Sequence, residues 1–100
     1  MEKIIENKLP EIKKTFQKYG ATRAYLFGSA ATDSMTKDSD IDFLFSFPKD
    51  MHYETYGANY FELLYDLQEL LNRNVDLVAE KTLSNPFLIE SINESKIRIM

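Results

Sequence analysis

The segment 41–47, with the sequence IDFLFSF, constrains the fold more than any other part of this 100-residue chain. Its aromatic and apolar residues favour a β-strand, and Pro48 ends it because proline has no N–H to donate to a neighbouring strand. A second short segment, 22–27 (TRAYLF), predicts a strand that ends at Gly28. Two shorter strands are predicted over 75–78 (VDLV) and, at a sheet edge, over 97–100 (IRIM).

Amphipathic helices separate these strands. The first has apolar residues at positions 5, 9, 12 and 16, and Gly20 follows as a C-terminal cap. Pro10 either begins the main helix after a separate short turn or kinks a longer helix. A loop is predicted over 49–57, a second helix over about 58–71, and a third beginning near position 86. Strands that alternate with helices indicate one layered α/β domain over residues 1–100.

Composition excludes several classes of protein. The chain has no cysteine, so it contains neither a disulfide scaffold nor a thiolate zinc site. Its net charge of −4 argues against direct nucleic-acid binding through a basic surface, although it does not exclude a nucleotide. The N-terminus lacks the apolar core of a signal peptide, and no apolar run reaches the ~20 residues that span a bilayer. We therefore expect a soluble, cytoplasmic domain without membrane contact.

Three carboxylates are the candidate catalytic and metal-binding residues. Asp40 and Asp42 flank Ile41 at the start of the IDFLFSF strand, and side chains two apart on a strand share a face, about 6.6 Å apart. Two such carboxylates repel each other unless a cation or a proton intervenes, and their hard oxygens suit Mg²⁺ or Mn²⁺. Asp76 lies in the VDLV strand. If the two strands are neighbours, Asp76 completes a cluster that supports metal-assisted phosphoryl transfer.

The pair Gly28 and Ser29 follows the first predicted strand. Glycine lets the backbone approach a phosphate closely, and a helical turn beginning just after it would offer free N–H groups to an anion. Taken alone, Gly-Ser is most often a turn, and acids near a strand end are most often solvated. The placement of both motifs between two strands, with a third acid in a later strand, favours one functional site.

These residues carry a family resemblance. The segment LFGSAATDSMTKDSDIDFLF resembles the signature of the DNA polymerase β-like nucleotidyltransferase superfamily, which is Gly-Ser, ten residues and Asp-x-Asp. With a helix before the motif and a late VDLV, the chain resembles the minimal nucleotidyltransferase (MNT) group over nearly its whole length. The resemblance implies a small mixed β-sheet flanked by helices, with the site at one edge of the sheet.

The resemblance also implies roles for the site residues. Asp40 and Asp42 would bind the divalent metal, Asp76 would be a further metal ligand or the base, and Gly28 and Ser29 would contact nucleotide phosphates. Many minimal members are similar to antitoxins of the MntA type, encoded beside a helical HEPN-domain toxin, and some transfer AMP from ATP to a tyrosine of that partner. The implied activity is metal-dependent transfer of AMP to a hydroxyl of a partner protein.

One departure from the family pattern leaves alternatives open. Family members often have arginine directly after Gly-Ser, where this chain has Ala30, and Lys37 or Arg23 would have to replace that cation. The chain could therefore be an antitoxin that acts by binding alone. It could also be a small-molecule adenylyltransferase resembling the aminoglycoside-modifying enzymes. Because no acceptor-binding domain follows, we expect another protein, or a second copy in a homo-oligomer, to supply the acceptor.

Two further features have simple structural interpretations. His52 is the only histidine and is predicted to be solvent-exposed in a loop. Tyr53, Tyr56 and Tyr60 recur at helical spacing, which is typical of core residues, with a partner surface as the alternative.

Overall fold

The computed structural model describes all residues from Met1 to Met100 and shows three helices and four strands. The helices are α1 (Lys3–Lys18), α2 (Tyr53–Leu71) and α3 (Pro86–Ser95), and the strands are β1 (Arg23–Phe27), β2 (Ile41–Ser46), β3 (Val75–Ala79) and β4 (Ile97–Arg98). Short 3₁₀ turns follow β1 (Gly28–Ala30) and β3 (Glu80–Thr82). The predicted α/β class is confirmed. No helix combines the length and the apolar character needed to cross a membrane.

The four strands form one mixed sheet in the order β3-β2-β1-β4. The β2 and β3 strands are parallel, whereas β1 is antiparallel to both of its neighbours. Helix α2 connects β2 to β3, and α3 connects β3 back across the sheet to β4. Crossovers between parallel strands are almost always right-handed. The α2 crossover leads from β2 toward one edge of the sheet and the α3 crossover leads from β3 toward the other edge, so α2 and α3 lie on opposite faces.

The main core lies on the face that α1 and α2 cover. Strand side chains that alternate toward this face are buried: Ala24 and Leu26 of β1; Ile41, Phe43 and Phe45 of β2; Val75, Leu77 and Ala79 of β3. Leu44 of β2 and Ile92 of α3 are also buried but belong to no part of this cluster, as expected for a helix on the second face. Because side chains alternate along a strand, Asp42 and Asp76 point to that second face.

The structure decides between the two alternatives for Pro10 and corrects the predicted start of the second helix. Helix α1 is continuous, with the exposed Pro10 inside it, so no separate turn precedes the main helix. Helix α2 begins at Tyr53, so the prediction of a loop over 53–57 was wrong. There the exposed His52 is the N-cap of α2, and its Nδ1 accepts a hydrogen bond of 3.3 Å from the backbone N–H of Glu54. Histidine is an unusual N-cap, and the sequence alone did not indicate one.

Candidate functional site

Strand register brings the predicted site residues to one end of the sheet. Phe27, which precedes Gly28, lies opposite Asp42, and Asp42 in turn lies directly opposite Asp76 on the parallel neighbour β3. Residues paired in this way point to the same face. Asp40 lies one residue before β2 begins and is exposed. The end of β1 and the starts of β2 and β3 therefore bring Gly28, Asp42 and Asp76 together at one end of the sheet.

The backbone around Asp76 is fixed by hydrogen bonds to α2. The N–H of Val75 donates to Gln68 Oε1 at 3.3 Å, and the O–H of Tyr60 donates to the carbonyl oxygen of Leu77 at 2.7 Å. Asp76 lies between these two anchored residues, while its own side chain is exposed. A rigid backbone thus presents a solvent-accessible carboxylate.

Asp42 is the electrostatic centre of the site. Burial of this half-buried carboxyl raises its pKa to about 6, with smaller contributions from repulsion by Asp76 and then Asp40. The three ion pairs of the structure include none of these aspartates. The unpaired charges make this end of the sheet favourable for a proton or a cation.

Gly28 lies directly against Asp42. Its φ of +70° belongs to the left-handed region, and a Cβ at this position would overlap with Asp42 Oδ2 and lie 3.2 Å from Asp42 Cγ. The 3₁₀ turn of Gly28–Ala30 starts here, and the first N–H groups of such a turn have no partner within it. Only glycine allows this contact, so the turn that carries Ser29 approaches the carboxylates as closely as the backbone permits.

The residues present fit a divalent cation in their donor chemistry. Carboxylate oxygens are the ligands that Mg²⁺ and Mn²⁺ prefer. Asp42 and Asp76 are neighbours in register, but the predicted three-carboxylate cluster is not formed in this structure, because no three histidine, aspartate or glutamate side chains are grouped so that they could hold one metal ion. These aspartates suit a metal ion that substrate phosphates also coordinate, rather than an ion whose ligands all come from the protein.

The structure distinguishes between the two predicted substitutes for the missing arginine. Ala30 is 0% exposed, so the position after Gly-Ser is part of the core in this chain. Arg23 lies at the far end of β1, where it pairs with Glu80 at 2.8 Å. Lys37 shares a polar cleft of about 470 Å³ with Asp40. Of the two cations, only Lys37 is close to the site.

Sequence reasoning missed Arg73. Arg73 lies just after the predicted second helix, which ends at about position 71. It lines the same polar cleft as Lys37 and Asp40, and it donates hydrogen bonds to the loop that precedes Asp40. No spacing rule links positions 73 and 40, which are 33 residues apart. The one available signal was a cation two residues before the VDLV strand.

Tyr53, Tyr56 and Tyr60 of α2 differ in their environments. Tyr56 and Tyr60 are half-buried and pack their rings against Phe47 (5.0 Å) and Phe45 (5.9 Å), which agrees with the core interpretation. Tyr53 is 76% exposed and stacks on His52 at 4.6 Å. The core interpretation is therefore wrong for Tyr53.

Comparisons with known proteins agree with this geometry. The family model described as "Nucleotidyltransferase domain" matches residues 7–99. A Methanocaldococcus jannaschii protein, provisionally named a protein adenylyltransferase, is 35% identical over 82 residues, which are 82% of this chain and 80% of the relative.

Solved structures show the same fold. One, provisionally named a minimal nucleotidyltransferase, has a TM-score of 0.77 and 28% identity, and the match covers 93% of this chain and 90% of that one. Another is a complex of tri-AMPylated Shewanella oneidensis HEPN toxin with MNT antitoxin. Its matching chain has a TM-score of 0.68 and 21% identity, with 95% of this chain and 71% of that chain covered. At that identity the second likeness concerns the fold alone.

Proposed function

This chain belongs to the nucleotidyltransferase domain family, and from that premise we propose that it transfers AMP from ATP to a hydroxyl group of a partner protein. One observation carries the proposal: Asp42 lies opposite Asp76 in register, with the backbone of Gly28 against the Asp42 carboxylate. A nucleotidyltransferase needs this combination, because phosphates must lie beside the groups that balance their charge and accept a proton.

Each site residue has a role in the proposed reaction. Asp40 and Asp42 would hold Mg²⁺ or Mn²⁺, with Asp76 as a further ligand, and such an ion supplies charge neutralisation at the phosphate oxygens. The Gly28–Ser29 turn would contact the phosphates through its N–H groups. The acceptor oxygen bonds to the α-phosphorus, the bond from that phosphorus to pyrophosphate breaks, and Asp76 accepts the proton of the hydroxyl.

An exposed site suits a macromolecular acceptor. Asp40 and Asp76 are both exposed, so a hydroxyl on another protein can reach them. The complex whose antitoxin has this fold contains an AMPylated HEPN toxin, and the curated relatives carry provisional names as protein adenylyltransferases. We therefore assign the partner as a HEPN-domain protein, with this chain as its antitoxin.

Ala30 favours a second candidate function. Where the family often has an arginine, this chain has a fully buried methyl group, which removes one cation from the neighbourhood of the phosphates. On this reading the chain would silence its partner by binding alone.

The test is intact-mass measurement of both chains after incubation with ATP, Mg²⁺ and a co-expressed HEPN-domain partner. The expected result is a gain of one or more AMP units on the partner, lost in the Asp40→Asn/Asp42→Asn double variant. The control is Asp38→Asn, which changes an exposed acid of the same loop and should retain transfer. Transfer that persists in the double variant would refute the mechanism. A stable complex with a silenced but unmodified partner would establish the binding-only function.

A further inference from the structure

Arg73 holds the backbone that precedes Asp40. Its Nη2 donates two hydrogen bonds to the loop, one to the carbonyl oxygen of Thr36 at 2.7 Å and one to that of Ser39 at 2.8 Å. The Ser39 carbonyl belongs to the peptide unit that joins Ser39 to Asp40. Arg73 therefore contacts the peptide bond directly on the N-terminal side of the candidate metal ligand.

The residue after Arg73 fixes the other side of Asp40. The N–H of Ile41 donates to the carbonyl oxygen of Asn74 at 3.0 Å. Two consecutive residues, Arg73 and Asn74, thus bond the peptide units on both sides of Asp40. Since Asp76 follows two residues later on β3, the same short segment positions both carboxylates relative to each other.

The loop has few other contacts that could perform this task. Its turn is closed internally: the N–H of Thr36 donates to Ser39 Oγ at 2.9 Å, and the N–H of Ser39 donates to the Thr36 carbonyl at 3.1 Å. From Thr36 to Asp40 every residue is exposed or only partly buried, so apolar packing cannot hold the segment. Without an anchor, an exposed polar loop of this kind is mobile on the ns–μs scale.

Arginine is the side chain that suits this geometry. Its planar guanidinium directs two donors of one nitrogen at two carbonyl groups, whereas a lysine ammonium is a point charge without that fork. Asn72 prepares the approach, because its left-handed conformation (φ 51°, ψ 41°) ends α2 and turns the chain toward the loop. With Nη2 engaged by two carbonyl oxygens, Arg73 acts on the backbone of the loop.

We propose that Arg73 is a positioning residue that fixes the Asp40 carboxylate relative to Asp42 and Asp76. The effect of Arg73 on metal binding and transfer rests on the proposed function, but the effect of Arg73 on the loop does not. The matched control is Arg23, which makes a side-chain bond of similar length, 2.8 Å to Glu80, at the opposite end of the sheet.

Hydrogen–deuterium exchange of the metal-free protein tests the structural step. In Arg73→Gln, amides of the segment 36–41 should exchange at least about tenfold faster, while amides of β1 and α1 remain unchanged. Arg73→Lys should give an intermediate rate, and Arg23→Gln should leave 36–41 at the wild-type rate. Wild-type exchange of this segment in Arg73→Gln, or equal acceleration in Arg23→Gln, would overturn the proposal.

Mn²⁺ titration followed by electron paramagnetic resonance, with ATP present, tests the functional step. The Mn²⁺ midpoint should rise about 10- to 100-fold in Arg73→Gln, with a smaller rise in Arg73→Lys and none in Arg23→Gln. An unchanged midpoint in Arg73→Gln would overturn the positioning role. If the wild type and Asp40→Asn bind Mn²⁺ equally, the proposed function fails, and the exchange experiment still decides the role of Arg73.

Discussion

The two ends of the sheet hold their charges in opposite ways. At the end formed by Gly28, Asp42 and Asp76, the acids have no cationic partner, and burial and mutual repulsion raise the pKa of Asp42. At the other end, Arg23 pairs with Glu80 at 2.8 Å, and Lys81 Nζ lies 4.0 Å from the centre of the Tyr56 ring. That end has a cleft of about 600 Å³, larger than the one beside Asp40, yet it contains none of the three predicted aspartates and neither residue of the Gly28–Ser29 turn.

The difference distinguishes charges that the fold has balanced from charges that it has left unbalanced. A cation held by a carboxylate or an aromatic ring is satisfied within the chain and needs no ligand. Carboxylates that face each other without a partner destabilise the metal-free protein and are stabilised only by a ligand of opposite charge. Cleft volume alone would select the end with the Arg23–Glu80 pair, whereas charge balance selects the end with the family motif.

Replacing the acid that lies opposite Asp42 should have the largest effect. Asp76→Asn removes the proposed proton acceptor, and transfer should fall about 10²- to 10⁴-fold in labelled-ATP assays with the partner present. Glu80→Gln, at the other end of β3, should retain the wild-type rate. Wild-type transfer by Asp76→Asn would exclude both a catalytic and a metal-binding role for this residue.

Substituting alanine for one glycine at each end of the sheet should affect activity at only one of them, the end that contains Gly28. A Cβ would displace the Asp42 carboxylate, and a displacement of that size should reduce transfer about 100-fold. Gly20→Ala is the control, because Gly20 also has a positive φ (+85°) but its added Cβ would meet only Met51 Cε at 3.5 Å. Both variants should lose about 1 kcal/mol of unfolding free energy, and only Gly28→Ala should lose activity. Equal activity losses in the two variants would contradict the proposed contact.

The stability of the metal-free protein should depend on pH through Asp42. Its pKa lies above the usual value in the folded state, so the folded protein binds more protons than the unfolded chain between about pH 4 and pH 6. Stability should therefore fall as pH rises through that window. Asp42→Asn should remove this dependence and, measured in EDTA by urea unfolding at pH 7, stabilise the protein by about 1 kcal/mol. That figure is reduced from the full shift because the group is half exposed.

The control for that experiment is Asp50→Asn, which changes an exposed acid outside the site. Its pH profile should follow that of the wild type. Parallel profiles for wild type and Asp42→Asn would mean that neither burial nor repulsion raises the pKa of Asp42 in the folded protein.

The smallest effect should come from a substitution at the end of the sheet where Arg23 pairs with Glu80. Arg23→Gln removes an exposed ion pair, which costs about 0–1 kcal/mol of unfolding free energy, less at high salt, and transfer should be unchanged. Urea unfolding at low and high salt, together with the transfer assay, measures both quantities. A loss of activity in Arg23→Gln would show that this end takes part in the reaction.

Much of the fold and of the candidate site could be predicted because the signals are local. The four strands, the third helix near Pro86 and the glycine cap at Gly20 follow from periodicity and backbone preferences of a few adjacent residues. Asp40, Asp42 and the Gly28–Ser29 turn belong to one continuous motif. The error over 53–57 arose because tyrosines packing on Phe45 and Phe47 extend α2 beyond what its apolar stripe indicates.

The sequence by itself determined the elements, the family and the identity of the acids, since each depends on residues close together in the chain. Only the tertiary structure decided which charges meet. The register of parallel strands places Asp76 opposite Asp42, and the end of α2 places Arg73 against the loop before Asp40. It also places Arg23 at the far end of the sheet, paired with Glu80. Electrostatic interactions depend on distance in space, and sequence separation does not specify that distance.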